Sequence, residues 1–354
     1  MKIIVIDDDP TGSQTVNNCF LLVKWNHSTL VKALKSKSNL FFILANTRSL
    51  SENNAKLKLE EICNTIKGVI SSKTYREDII FVSRGDSTLR GHNFLEPNTI
   101  NDCLGPFDAT FHIPAFIEGK RLTINGKHFV DNIPANQTIF AKDKIFGYQT
   151  NDIRDLLFQK SKLELKKNNI ENLKLSELNS LENNEENIVF QRLRSFQNNT
   201  HVIVDVKDYS QLDKFSNAIH KLKKQKKFLF RTAASFISSI SQIRNNEKNN
   251  SFYSHLRRKN SNNNFLRGLI IIGSHVKLTT IQLREVLRIS FFKPIELDVF
   301  EFFRINSSKD NNDELIVYKN QFLNAIRSGL NEGKTPVLFT SRKVISLVNN
   351  EEQI

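Results

Sequence analysis

Cysteine, methionine and tryptophan are nearly absent from this chain: three, one and one among 354 residues. Cys19, Cys63 and Cys103 are odd in number and widely spaced, which argues against a disulfide framework and against a zinc site. They read as packing residues. No run of 18 or more apolar residues occurs, so no membrane-spanning helix is expected. The chain enters a strand directly at its start, without a charged, then apolar, then small-residue leader, so no secretory signal is expected and a cytoplasmic location is. Glycine is sparse, at 12 residues, and no stretch spells Gly-x-x-x-x-Gly-Lys-Ser/Thr or Gly-x-Gly-x-x-Gly. Neither common phosphate cradle is therefore present.

Acidic residues are outnumbered, 37 against 51 basic, for a net charge of +14. Such a balance raises nucleic acid as a partner. The excess is mostly lysine and travels with asparagine. Clusters such as Lys221 to Lys227 fall where a helix gives way to a strand, a position that favours cations through the helix dipole. No zinc-finger spacing, helix-turn-helix pattern or aromatic ribonucleoprotein motif occurs. Nucleic acid is thus not the expected partner; a solvated basic surface that attracts small anions is.

Apolar runs of strand length alternate with segments of helical period, which predicts an α/β fold: two domains, each a largely parallel sheet flanked by helices, with a β-hairpin insertion in the first. Residues 1–243 form the first domain, 244–265 an Asn/Lys-rich linker and 266–354 the second. Strands are expected at Ile3 to Ile6, Phe41 to Ala45, Ile79 to Val82, Ala109 to Phe116, His201 to Val206, Phe228 to Phe230, Leu269 to Ile272 and Val337 to Thr340. Helices are expected at Ser51 to Ile70, with Leu59, Ile62, Ile66 and Ile70 on one face, around Leu95 to Leu104, and from Thr279. Residues 151–199 read as helical, with Ile188, Phe190, Leu193 and Phe196 as a buried stripe. Asn125-Gly126 between alternating apolar residues signals a two-residue hairpin that could cover a ligand. His112, alone in an apolar strand, reads as a core residue.

Three strand ends carry chemistry. The first runs into Asp7-Asp8-Asp9-Pro10-Thr11-Gly12-Ser13, the second into Asn46-Thr47-Arg48-Ser49, and the third into Ser83-Arg84-Gly85-Asp86-Ser87-Thr88-Leu89-Arg90-Gly91. Ordinary helix caps would use some of the same residues. In open α/β sheets, however, ligands sit beyond the carboxyl ends of the strands, so these three ends would converge if their strands are parallel and central. Arg48, Arg84 and Arg90 can hold a carboxylate or phosphate, Asp86 can act as a base or face a metal, and Gly85 and Gly91 let backbone approach a ligand.

The pairing of Ile-Asp-Asp-Asp-Pro-Thr-Gly-Ser with Ser-Arg-Gly-Asp-Ser-Thr-Leu-Arg-Gly resembles the four-carbon acid sugar kinase family, whose members phosphorylate threonate, erythronate and related acids with ATP. The resemblance implies an N-terminal domain for the acid and a C-terminal domain for the nucleotide. It implies that Asp9, Arg48, Arg84, Gly85, Asp86 and Ser87 contact the acid; Asp86, and next Asp8, is then expected as the base, because a carboxylate beside the attacking oxygen can accept its proton. Gly273, Ser274 and Thr340, at two later strand ends, would contact ATP, and Mg2+ would accompany it with no nameable ligand here. Arg84 stands where the family often has lysine. The family continues into a glycine-rich loop over the ATP phosphates, whereas residues 343–354 contain no glycine. The expectation is little or no turnover by this chain, or binding of the acid without phosphorylation.

Overall fold

The computed structural model describes residues 1–71, 78–181, 187–243, 257–307 and 312–343. It divides into two compact units, Met1–Asn246 and Glu247–Ile354.

In the first unit, alternating side-chain direction along three neighbouring strands explains why the sheet has two buried faces. Ile3, Val5, Ile80, Val82, Phe228 and Phe230 join one core with Phe111, Phe215 and Phe236. Their neighbours Ile4, Ile6, Phe81 and Leu229 join a second core with helix Glu52–Ile70. A strand buried on both faces must be central and helix-covered, which favours parallel pairing. The strands are β1 (Lys2–Asp7), β2 (Phe20–Leu22), β3 (Leu40–Leu44), β4 (Ile79–Arg84), β5 (Ala109–Ile113), β6 (Arg121–Ile124), β7 (Lys127–Val130), β8 (Ile133–Pro134), β9 (Ile170–Leu173), β10 (Thr200–Val204) and β11 (Phe228–Thr232). Eight of them form one sheet in the order β2-β3-β1-β4-β11-β5-β10-β9, parallel throughout.

This order puts the switch point at β1. The chain leaves β1 toward β3 on one side and returns as β4 on the other. Register aligns Asp7 with Leu44 and with Arg84, and Arg84 with Thr232. Four carboxyl ends therefore share one edge.

Helix Glu52–Ile70 starts at Ser51, whose hydroxyl accepts from Asn54 N, and buries Leu59, Ile62 and Ile66 as its spacing predicts. The stretch read as helical over 151–199 is mixed instead. Helices Ile153–Lys160, Leu175–Asn179 and Ile188–Ser195 surround β9, an edge strand of the large sheet. Its Ile-Glu-Asn-Leu pattern is polar enough at the centre to hide the strand. Within Ile188–Ser195, Val189 is buried and Ile188 exposed, because the helix begins one residue off the anticipated face. The Asn125-Gly126 hairpin is present as β6 and β7, and β8 extends it to three antiparallel strands.

In the second unit, β12 (Ile270–Ile272), β13 (Phe292–Leu297) and β14 (Thr335–Thr340) form a parallel sheet in the order β12-β14-β13, with helices Lys277–Leu287, Val299–Ser307 and Asn312–Asn331. Strand β13 went unread in the sequence because Lys293, Pro294 and Glu296 break its apolar run. Of the expected linker, residues 244–256 lie outside the described residues, as do 344–354. Among the described residues no helix is long and apolar enough to cross a membrane.

Candidate functional site at the carboxyl edge of the large sheet

Asp7 and Asp8 are fully buried at the end of β1, and two guanidiniums close on them from neighbouring strand ends. Arg48 grips Asp8 bidentately, Nε to Oδ2 at 3.1 Å and Nη2 to Oδ1 at 2.6 Å. Its Nη1 lies 2.5 Å from Asp9 Oδ2 and 3.9 Å from Asp86 Oδ1. Arg84 lies deeper, its Nη1 3.4 Å from Asp8 Oδ1 and 3.3 Å from Asp9 Oδ1. Three adjacent carboxylates that would repel one another are thus held by cations supplied 40 and 75 residues away. Asp86 receives Arg90 Nε at 2.7 Å and the hydroxyl of Thr88.

Two further residues, not anticipated from the sequence, complete the network. Arg231, near the end of β11, donates to Glu96 and to Ser83 Oγ at 2.9 Å, and its Nη2 lies 3.9 Å from Asp8. Glu96 also accepts from Thr47 Oγ1 at 2.8 Å. A signal existed: an arginine inside the apolar run Phe-Leu-Phe-Arg-Thr has to be paired when buried.

Burial pushes the Asp7 carboxyl up to about 8, with Asp8 and Asp9 adding to the rise against Arg84. Burial, and then Glu96, also raise Asp8. Burial acts on Asp9 and Asp86 in the same sense, but Arg48 with Arg84 at Asp9, and Arg48 with Arg90 at Asp86, outweigh it and hold both below the usual carboxylate range. The site therefore holds carboxylates of two kinds, one group kept ionised and one poised to keep its proton.

The four arginines differ in reach. The side chains of Arg84 and Arg231 are 4% and 5% exposed, those of Arg48 and Arg90 18% and 29%. A ligand meets Arg48 and Arg90 first. Ligand atoms of Asp7, Asp8 and Asp9 lie within 4.8 Å of one another, near enough for a cation. Yet Arg48 takes both Asp8 oxygens and shares Asp9 with Arg84, so the oxygens a hard divalent ion needs already face guanidiniums. Asp7 Oδ2 alone of these is buried without a hydrogen-bond partner. This donor set does not suit magnesium.

Gly85 has to be glycine for a steric reason. A Cβ there would fall 2.4 Å from Arg231 Cζ, with the guanidinium already fixed by Glu96. Gly85→Ala is expected to lower stability by about 1 to 3 kcal/mol, the range for overpacking a filled interior. Thermal denaturation checks it, and an unchanged melting point would mean that Arg231 moves freely.

The acid-site residues anticipated from the sequence thus meet at one edge: Asp8, Asp9, Arg48, Arg84, Gly85 and Asp86. The carbonyl of Ser87 is engaged by His128. His112 is buried against His201 at 2.9 Å in the core, with burial and then His201 holding it well below its usual range. In the second unit, Gly273, Ser274 and Thr340 also come together: Thr340 Oγ1 donates to Gly273 O at 3.1 Å, and Arg342 donates to Ser274 O at 2.6 Å.

An open parallel sheet with convergent charged groups at its switch point defines an α/β protein of the class whose ligands sit at the carboxyl edge of the sheet. A family model described as a sugar-binding N-terminal domain matches residues 3–240. The chain belongs to the four-carbon acid sugar kinase family, of which this is the N-terminal domain. A D-erythronate kinase of Heliobacterium modesticaldum is 24% identical over 167 residues, 46% of this chain and 36% of that protein. The matched region thus spans little more than a third of that curated relative. Among solved structures, a Haemophilus influenzae protein matches with TM-score 0.57 and 17% identity over 95% of this chain and 74% of its own. A Bordetella bronchiseptica protein, solved with bound citrate as a domain-swapped dimer, matches with TM-score 0.53 and 14% identity over 98% of this chain and 75% of its own. These two likenesses concern the fold.

Proposed function

We propose that the first unit binds a small sugar acid of the threonate and erythronate type, and that the chain serves ATP-dependent phosphorylation of one of its hydroxyls in the cytoplasm. The observation that carries this reading is the convergence of the Asp7–Asp9 and Arg84–Arg90 segments, with Arg48 between them, into one arginine-carboxylate cluster. Such a cluster offers cations to a carboxylate and anionic acceptors to several hydroxyls, which is the pattern a polyhydroxylated acid needs. The erythronate kinase relative supports the substrate class, and citrate in the Bordetella bronchiseptica protein is itself a hydroxy acid.

In this reading Arg48 and Arg90 meet the acid's carboxylate and Asp9 a hydroxyl. Arg84 holds Asp8 and Asp9 in place from below. Asp86, ionised and oriented by Arg90 and Thr88, accepts the proton of the attacking hydroxyl. The hydroxyl oxygen forms a bond to the γ-phosphorus as the bond to the β-γ bridging oxygen breaks and ADP leaves. Gly273, Ser274 and Thr340 of the second unit are the nucleotide contacts. Magnesium has no assigned protein ligand.

Calorimetric titration of the full chain with threonate and erythronate tests the binding, and coupled ADP release with ATP tests the transfer. Arg48→Ala is expected to weaken acid binding by about 1.5 to 3 kcal/mol, the range for a charge-assisted hydrogen bond. Absence of binding by either acid in the folded chain defeats the site assignment. Binding without ADP release limits this chain to recognition of the acid.

A further inference from the structure

The segment that follows β5, including the β6-β7-β8 hairpin, touches the site loop at consecutive backbone positions. His128 Nε2 lies 2.8 Å from Ser87 O. Tyr148 donates its hydroxyl to Thr88 O at 2.7 Å. Asn93 Nδ2, from the loop's own far end, donates to Leu89 O at 2.6 Å. The carbonyl of Ser87 can only accept, so Nε2 of His128 carries the proton and Nδ1 accepts from Thr123 Oγ1 at 3.0 Å. His128 is fully buried, and burial keeps its ring neutral at ordinary pH, with the pKa down at about 4.

The clamped loop needs holding. Leu89 has φ +64°, a left-handed conformation that a residue with a Cβ adopts only when its surroundings impose it. Its side chain is buried with Val130, Ala135, Ala141, Tyr148 and Leu156, the first four of these from the same segment. The segment is itself tied down: Asp205, just past β10, accepts from Asn125 N at 2.8 Å and from Gly126 N at 2.9 Å. A chain of contacts thus runs from β10 through the hairpin turn and His128 into the loop that carries Asp86 and Arg90.

We propose that His128 and Tyr148 are positioning residues: the hairpin segment is a fixed clamp that presets the Gly85–Gly91 loop for the acid, not a cover that closes over it. The proposal rests on the reading of the loop as part of the acid site. It is physically economical, because a polar loop fixed before binding loses less conformational entropy when the acid arrives. Each clamp bond acts on backbone and not on the ligand, so its effect is indirect and separable from side-chain chemistry.

The test uses the full chain with His128→Leu, His128→Gln and Tyr148→Phe, each examined below its own melting transition. In the free protein, hydrogen exchange at the Leu89 amide, which donates to Asp86 O at 3.2 Å, should quicken in His128→Leu and Tyr148→Phe. Acid affinity should fall roughly ten-fold in each, about the value of one hydrogen bond. His128→Gln, whose amide nitrogen can occupy the Nε2 position, should recover most of both losses. A merely structural histidine would not distinguish Gln from Leu at this one loop. Unchanged exchange at residues 86–91 in both disruptive variants overturns the proposal, as does a Gln variant no better than Leu. So does a many-fold slowing of exchange across residues 121–134 on saturation with acid, the signature of a closing cover. If His128→Leu fails to fold, Tyr148→Phe carries the test. If no acid binds at all, exchange in the free protein still decides whether the clamp exists, while the functional reading fails separately.

Discussion

Arg231→Ala is expected to lower the free energy of unfolding by about 3 to 5 kcal/mol, the range for removing one partner of a buried ion pair. The side chain is 5% exposed and that of Glu96 1%. Among the described residues, the other partners of Glu96 are the hydroxyls of Thr47 and Ser83, which carry no charge to replace the missing guanidinium. Asp8, 3.9 Å from Arg231 on its other side, would lose a cation as well. Urea denaturation reads the effect as a midpoint shift of roughly 1 to 5 M, given slopes of about 1 to 3 kcal/mol per molar. Adding Glu96→Gln to Arg231→Ala should restore part of the loss, because the uncompensated charge is then gone. A loss below about 1 kcal/mol would mean that Arg48 and Arg84 neutralise the whole cluster without Arg231.

Asp7→Asn is expected to make the protein more stable at alkaline pH. The sign follows from proton counting. A carboxyl raised from 3.8 to about 8 by burial keeps its proton in the folded chain while the unfolded chain has released it. Between those values the folded state binds more protons, so stability falls as pH rises, by about 1.4 kcal/mol per unit, and levels off above the folded value. Asparagine has nothing to release. The variant should therefore match the natural protein near pH 4 and exceed it by roughly 4 to 6 kcal/mol at pH 9. Asp9 and Asp86, held low by their arginines, act with the opposite sign: the stability they contribute at neutral pH is lost as pH falls. Both chains should share that acid limb, and only the natural one should show the alkaline decline. Urea midpoints at pH 5, 7 and 9 measure it. Parallel curves for the two proteins would mean that Asp7 is ionised when folded, with Arg84 supplying its counter-charge.

Much of the fold was legible because its signals are local. Short continuous apolar runs that break to polar residues mark β1, β3 and β4, and the period of Leu59, Ile62 and Ile66 marks a helix face. Asn125-Gly126 marks its turn through backbone preferences of two adjacent residues. Where local signals were mixed, the reading failed. Strand β9 reads Ile-Glu-Asn-Leu and owes its place to pairing with β10, and β13 is interrupted by proline and two charges but pairs with β14.

By itself, then, the sequence determined most of the segments that become strands, that three of them end in charged residues, and that two of those ends carry coupled motifs of an acid sugar kinase. Tertiary structure alone decided which charge meets which. Arg48 reaches Asp8 across 40 residues, and Arg231 reaches Glu96 across 135, because strand order brings β1, β3, β4 and β11 side by side. It also decided that the hairpin grips the site loop, since the carbonyls of Ser87 and Thr88 leave no trace in the residue types that bind them. Proton affinities belong to the same category. Asp7, Asp8 and Asp9 are chemically identical in the chain, and only depth of burial and the guanidiniums around each one separate a carboxyl that keeps its proton from one that cannot.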